Sequence, residues 1–332
     1  MPIPTLRQTL IGLTFILVAL MVTRPQTVDP DMYWHITSGE WMLDSGQFIE
    51  GDLFSHTMTG VLRPHHEWLS EVFIAVLYRA FGDYGVTLWA SALTLVALFI
   101  MYRLMEGAIG VRLTLLVLAA QATQASAMGR PQIWMLIFSL ILVRIVLRRT
   151  ASLMWIPVIM LVWANLHGGW ITGYIILGAA IFAESVKLIF RRGADVVWLR
   201  HLILAALAGG VALLVNPYGV EQLLVPLDTF TQAARPFISE WLPPNLLSPD
   251  RVGLLALLVL GVVVLITQRA RLSLLSAILL VGFGVWALMT SRVVVLFMLI
   301  APVILAPYLS DLAQRYLPRL HLPDYRLAQP TR

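Results

Sequence analysis

Apolar runs long enough to cross a lipid bilayer recur along nearly the whole chain, and they restrict its fold more than any other feature. A hydrocarbon core of about 30 Å is spanned by roughly 20 residues of helix. Inside lipid every backbone amide must find its partner within the protein, so runs of this kind form helices and not open sheet. About ten spans are expected, at 8–24, 84–102, 113–129, 132–147, 152–165, 170–190, 201–215, 252–268, 272–290 and 293–310. The expected fold is all-α: a polytopic transmembrane helical bundle, with residues 1–332 as a single integral-membrane domain. Only 12% of residues are charged and the mean hydropathy is +0.83, against about 25% charged for an average soluble domain.

Two further classes are set aside by composition. A pI near 9.8 brings nucleic acid to mind, yet the basic residues punctuate apolar runs and form no basic, aromatic-lined groove, so no nucleic-acid partner is expected. The chain has no cysteine, which removes disulfides, thiolate metal sites and cysteine nucleophiles. The run Leu10 to Val22 follows Arg7 as a signal peptide would, but no small-x-small pattern precedes Thr23-Arg24-Pro25, so it reads as a retained first span.

Basic residues set the expected orientation. With the N-terminus cytoplasmic, Arg7, Arg103, Arg112, Arg144, Arg148, Arg149, Lys187, Arg191, Arg192, Arg200, Arg269, Arg271, Arg315, Arg319, Arg326 and Arg332 all fall inside, which leaves 7 of the 23 Lys and Arg outside. This is the bias of short cytoplasmic loops. An even number of spans then places both termini in the cytoplasm, and the expected location is a bacterial inner membrane. Acidic residues run the other way, with 13 of 18 in outer segments, and the charge rule does not ask for that.

Two outer segments are long, about 25–83 and 216–251. Within the first, Met32, Ile36 and Met42 or Leu43 recur at helical spacing, as in an amphipathic helix lying on the membrane surface and ended by Gly46. Glu67 to Phe81 is a second candidate surface helix or a short re-entrant element.

Polar residues of unusual kinds gather on the same outer side. Asp29-Pro30-Asp31 has a structural explanation: an N-cap, a first helical proline and an acid at the positive helix end. Two carboxylates this close also suit a divalent metal or a base that takes a proton from a hydroxyl. His35 follows Asp31 by one turn. Trp34 and Trp41 suit interfacial anchoring, and His56, His65, His66 and His167 add imidazoles to this side, which with the acids suit a zinc or other metal site, although the chain has no H-E-x-x-H helix signature. Glu67 lies where the chain re-enters the membrane region. Arg130 and Arg292 stand at outer helix ends, where they either snorkel or present a fork to phosphate. Asn165-Leu166-His167-Gly168-Gly169 and Asn216-Pro217-Tyr218-Gly219 read as turns, although an Asn and a His at membrane depth need partners. Glu240-Trp241 ends the second outer segment. Ionisable groups are scarce in mid-span, which weighs against a transporter.

At these residues the chain resembles the GT-C superfamily of integral-membrane glycosyltransferases, and more closely its short bacterial members. The resembling stretches are Asp29-Pro30-Asp31 with Trp34-His35, Gly46 through Asp52 to Thr57, Glu67-Trp68-Leu69, Asn165 through Gly169, Asn216 through Gly219, and Glu240-Trp241. The resemblance implies a sugar donor linked to polyprenyl phosphate, an acceptor of unspecified kind, and inversion at the anomeric carbon. It places catalysis on Asp29 and Asp31, with a divalent metal ion as the cofactor these two would hold. Glu67 and His167 complete the expected catalytic set; His35, Arg130, Asn165, Asn216, Glu240 and Arg292 are the expected substrate-binding residues. Two other readings stand beside it: a transporter or flippase of a lipid-linked or polar solute, and a noncatalytic partner in a polysaccharide assembly complex.

Overall fold

The computed structural model describes residues 5–23, 30–62, 64–123, 129–149, 152–226 and 237–317. Asp29 lies outside the described residues. Among those described, the structure is all-helical and has no strand. The helices are α1 (Leu6–Val22), α2 (Pro30–Ser45), α3 (Trp68–Leu104), α4 (Ile109–Thr123), α5 (Ile133–Arg148), α6 (Trp155–Leu166), α7 (Trp170–Ile189), α8 (Val196–Ala212), α9 (Val252–Thr267), α10 (Leu274–Met289) and α11 (Ser291–Tyr316).

A helix occupies every run expected to span. Four helical stretches are long and apolar enough to cross a membrane: Trp68–Leu104, Trp170–Ile189, Pro249–Thr267 and Ser291–Tyr316. Five others, including α1, α6 and α8, are apolar but shorter. The outward side of α9 is Val252, Leu255, Val259, Val262 and Ile266, a contiguous apolar face of the kind that water disfavours and lipid accommodates.

Two stretches expected to be separate are joined. The amphipathic run beginning at Glu67 and the span beginning at 84 form the single α3, bent where Gly82 takes φ 61 and ψ −153. That region of backbone space is essentially closed to residues with a Cβ.

Contacts divide the chain into two compact units. One comprises Met1–Pro25, Thr94–Ala125 and Ile238–Arg332. Its most enclosed element is α11, which packs on α10, α4 and α9; 83% of its apolar window is covered, against 28% for the helix ending at Thr267. Ser310 fastens this helix by accepting from the Ala108 amide at 2.9 Å and donating to the Ala306 carbonyl at 2.7 Å. At its start, Thr290 Oγ1 donates to the Glu240 carbonyl (2.9 Å) and the Ser291 amide to that of Leu242 (2.9 Å).

The other unit comprises Gln26–Leu93 and Ser126–Phe237. Here α5 packs on α7 and α6 on α8, around fully buried Leu136, Leu140, Met160, Trp163 and Ile176. The turn between α7 and α8 is closed by buried Glu184, which accepts from Lys187 at 3.1 Å and from the Asp195 amide at 2.7 Å and pairs with Arg149. The Arg149 guanidinium lies 3.9 Å over the Trp198 ring.

In this second unit α2 is the expected amphipathic helix. It buries Met32, Ile36 and Met42 and exposes Leu43, so Met42 and not Leu43 completes the inner stripe. Gly46 ends it with φ +67 and an amide bond to the Met42 carbonyl at 3.0 Å.

Candidate functional site

Three attachments within the second unit bring distant residues together. The first joins α2 to the start of α3. Gly39 lies so close to α3 that a Cβ there would fall 2.0 Å from the Glu71 carbonyl oxygen. Only glycine permits that approach, and His35, one turn earlier on α2, is thereby set against Glu71. On the outer edge Arg79 grips Asp44 at 2.7 Å and Glu40 at 3.4 Å, and Tyr33 donates to Asp83 at 3.3 Å.

The second attachment joins α3 to the end of α6. Ser70 Oγ donates to the Leu166 carbonyl at 2.6 Å, and Trp68 Nε1 to Asn165 Oδ1 at 3.0 Å. Asn165 Nδ2 also donates to the carbonyls of Leu161 and Val215, both at 2.9 Å. Its amide ties α3, α6 and the turn after α8 together, and His167 leaves α6 directly beside Glu67. The third attachment is made by residues 218–222: Tyr218 O–H donates to the Ile49 carbonyl at 3.0 Å, and buried Gln222 to that of Ala164 at 2.8 Å.

At the junction is a cavity of about 320 Å³ lined by Asp31, Trp34, His35, Asp52, Pro64, His65, His66, Glu67 and Glu71. Its floor is a connected set of carboxylates and imidazoles. Glu67 Oε1 lies 3.1 Å from His167 Nε2 and 3.6 Å from His66 Nε2, and Oε2 lies 3.5 Å from His35 Nε2. Glu71 Oε1 lies 3.0 Å from His35 Nδ1, and Oε2 lies 3.4 Å from His65 Nδ1. Glu71, His65 and His167 are nearly enclosed, with side chains 3%, 8% and 4% exposed. Trp34 covers His65 with its ring stacked at 6.3 Å.

Hydrogen bonding assigns the tautomer of His167. The Gly169 amide donates to His167 Nδ1 at 2.8 Å, so Nδ1 carries a lone pair and the ring proton sits on Nε2, directed at Glu67. Burial by itself would raise the Glu67 carboxyl, but His167, His66 and His35 outweigh it and hold the group well below the usual carboxylate range. For His35 burial favours the neutral ring; the Glu71 hydrogen bond and the charges of Glu67, Glu71 and Asp31 override it and raise the imidazole above its ordinary value. The pocket therefore concentrates negative charge on its floor and draws positive charge between Glu67 and Glu71.

Nearer the mouth, Asp31 is largely exposed and pairs with Arg130, Nη2 to Oδ2, at 3.0 Å. Asp52 accepts from the amides of Ser55 and Phe54 at 2.7 and 3.0 Å, and these bonds, Ser55 foremost, hold its carboxyl below the usual range.

Of the residues expected from sequence, the structure brings together Asp31, His35, Glu67, His167 and Arg130. Asn165 and Asn216 act as braces: Asn216 accepts from the Tyr218 amide at 2.7 Å and donates to the Leu213 carbonyl at 2.6 Å. Glu240 and Arg292 belong to the other unit and pair there at 3.6 Å, with the Arg292 guanidinium 4.9 Å over Trp241. Glu71, His65, His66 and Asp52 were not among the expected site residues. The spacing Glu67-x-x-x-Glu71 was the available signal, since it puts two acids on one helical face.

Gly168 offers a local test. A Cβ there would lie 2.6 Å from His66 Cδ2. His66 is partly exposed and can turn outward, so Gly168→Ala is expected to remove its contact with Glu67, lower activity about 10-fold as loss of an outer partner does, and leave the melting temperature nearly unchanged. Activity equal to the wild type would show that His66 has no part in the site.

Compared with known protein families and with curated proteins, the sequence matches no family model and no curated protein.

Proposed function

We propose that this chain is a membrane-embedded glycosyltransferase that moves a sugar from a polyprenyl-phosphate-linked donor to an acceptor hydroxyl at the extracytoplasmic face, through a bundle of about ten spans with cytoplasmic termini. The observation that carries this reading is the pairing of Arg130 with Asp31 at a pocket floored by buried carboxylates and imidazoles. A lipid-linked sugar phosphate is held in the bilayer by about 0.8 kcal/mol per buried methylene, so its transferase must meet it at the headgroup plane. The apolar helices and the polar pocket of this chain suit that requirement.

In this reaction the bond between the anomeric carbon and the phosphate oxygen breaks, and the bond from the acceptor oxygen forms. The leaving phosphate competes with Asp31 for the Arg130 fork, which suits bidentate phosphate binding. Asp31, released from the pair, takes the acceptor proton. The floor of Glu67, Glu71 and their histidines binds sugar hydroxyls and orients them. Asp29 keeps the catalytic place that the GT-C resemblance gives it.

The test is chemical analysis of the cell surface. In a deletion strain complemented with Asp31→Asn, mass spectrometry of surface glycans and glycolipids is expected to show product reduced about 10²- to 10⁴-fold, the usual contribution of a general base, at normal protein abundance. Wild-type product with Asp31→Asn removes Asp31 from the chemistry and favours a carrier or a noncatalytic partner.

A further inference from the structure

Beyond glycosyl transfer, and independent of it, we infer that the pocket floor is a binding site for one borderline divalent transition-metal ion, of which Zn²⁺ is the probe, held by His35 and Glu67 with Glu71 behind His35. One donor atom from each of these three lies within 4.8 Å of the others. They come from two helices fastened by the close approach at Gly39, so the grouping is built by the fold and is not an accident of surface side chains.

The distances separate two kinds of contact. His35 Nδ1 and Glu71 Oε1 at 3.0 Å make a hydrogen bond. His35 Nε2 and Glu67 Oε2 at 3.5 Å do not. Two ligands of one tetrahedral zinc, each about 2.0–2.1 Å from the ion, stand about 3.3–3.4 Å apart. The second separation is therefore that of two ligands on a shared ion. His66 Nε2, 3.6 Å from the other Glu67 oxygen, offers a further nitrogen to the same neighbourhood.

The surroundings supply the support that metal ligands have elsewhere. A ligating imidazole usually donates its second nitrogen to a carboxylate, and a ligating carboxylate is itself hydrogen-bonded. Here His35 meets Glu71 through Nδ1, and Glu67 accepts from His167 Nε2. His167 is excluded from ligation because the Gly169 amide occupies its other nitrogen and its Nε2 proton is given to Glu67. Two enclosed carboxylates also require positive charge between them, which a divalent ion provides. Imidazole among the donors selects a borderline ion over Mg²⁺ or Ca²⁺, which favour oxygen throughout.

This differs from the metal position expected at Asp29 and Asp31. Asp31 is instead paired with Arg130, a cation that repels a second one.

The experiment uses the full chain without a polyhistidine tag, in lipid nanodiscs, stripped with chelator and titrated with Zn²⁺. Elemental analysis and calorimetry are expected to show one ion per chain. His35→Ala and Glu67→Gln should each weaken binding at least about 100-fold, and His167→Ala about 10- to 100-fold. His56→Ala and His201→Ala, at exposed histidines, should bind as the wild type does. Absence of a bound ion in the wild type, or undiminished binding in folded His35→Ala and Glu67→Gln, overturns the inference. Should those variants fail to fold, X-ray absorption of the zinc-loaded wild type decides: nitrogen and oxygen at about 2.0–2.1 Å with imidazole outer-shell scattering supports the site, and a shell without imidazole overturns it. Because the readout is binding, it stands apart from the glycan analysis, and either can fail alone.

Discussion

Gly39→Ala is expected to dismantle the pocket without touching any residue that lines it. The added methyl would lie 2.0 Å from the Glu71 carbonyl oxygen, 2.5 Å from its carbon and 2.8 Å from the Ala75 Cβ. All three belong to the body of a helix, so relief requires α2 and α3 to part. Overpacking of this kind costs about 1–3 kcal/mol and more where the neighbour is backbone. Parting them withdraws His35 from Glu67 and Glu71. The expected result is a clear fall in melting temperature together with loss of glycan product by at least about 100-fold. Gly178→Ala is the matched control, since nothing lies within 4 Å of its Cβ position; it should be neutral or slightly stabilising, alanine being the better helix former. Wild-type melting and product for Gly39→Ala would refute the close helix approach.

The second large effect is expected from Glu67→Gln. The amide keeps the shape of the carboxyl and can still accept from His167 Nε2, but it cannot carry the charge that His35 and His66 face from the other directions. Loss of charged hydrogen bonding in a buried set costs about 1–3 kcal/mol. Product should fall by about 100-fold or more, since the carboxylate is the one group in contact with three of the four imidazoles around the pocket. Glu67→Asp tests reach separately: it restores the charge and withdraws it by one methylene, and is expected to recover stability more than activity. Product from Glu67→Gln at the wild-type level would reduce the carboxyl to a structural role.

Much of the helical content was legible because span length and polar punctuation are local properties. The amphipathic pattern of Met32 and Ile36 with the stop at Gly46 came through for the same reason. Joining α3 across Gly82 did not, since a glycine between two apolar stretches reads equally as a break or as a bend. The pocket was legible only in outline. Asp31, His35, Glu67 and His167 were expected on one side of the chain, yet nothing in spacing says that Gly39 lets two helices touch. Glu71 stood out in no way, and its place in the pocket comes from α2 lying against it. Asn165 and Asn216 drew notice as polar residues that needed partners; they find them in backbone carbonyls and amides and, for Asn165, in the Trp68 indole.

The proton placement on His167 has one last consequence. With a lone pair already filled by the Gly169 amide and its single hydrogen directed at Glu67, this ring is locked in one orientation. It behaves as a fixed dipole, closer in character to a carboxamide than to a shuttle. Its part in the pocket is therefore to hold the Glu67 carboxylate in one place.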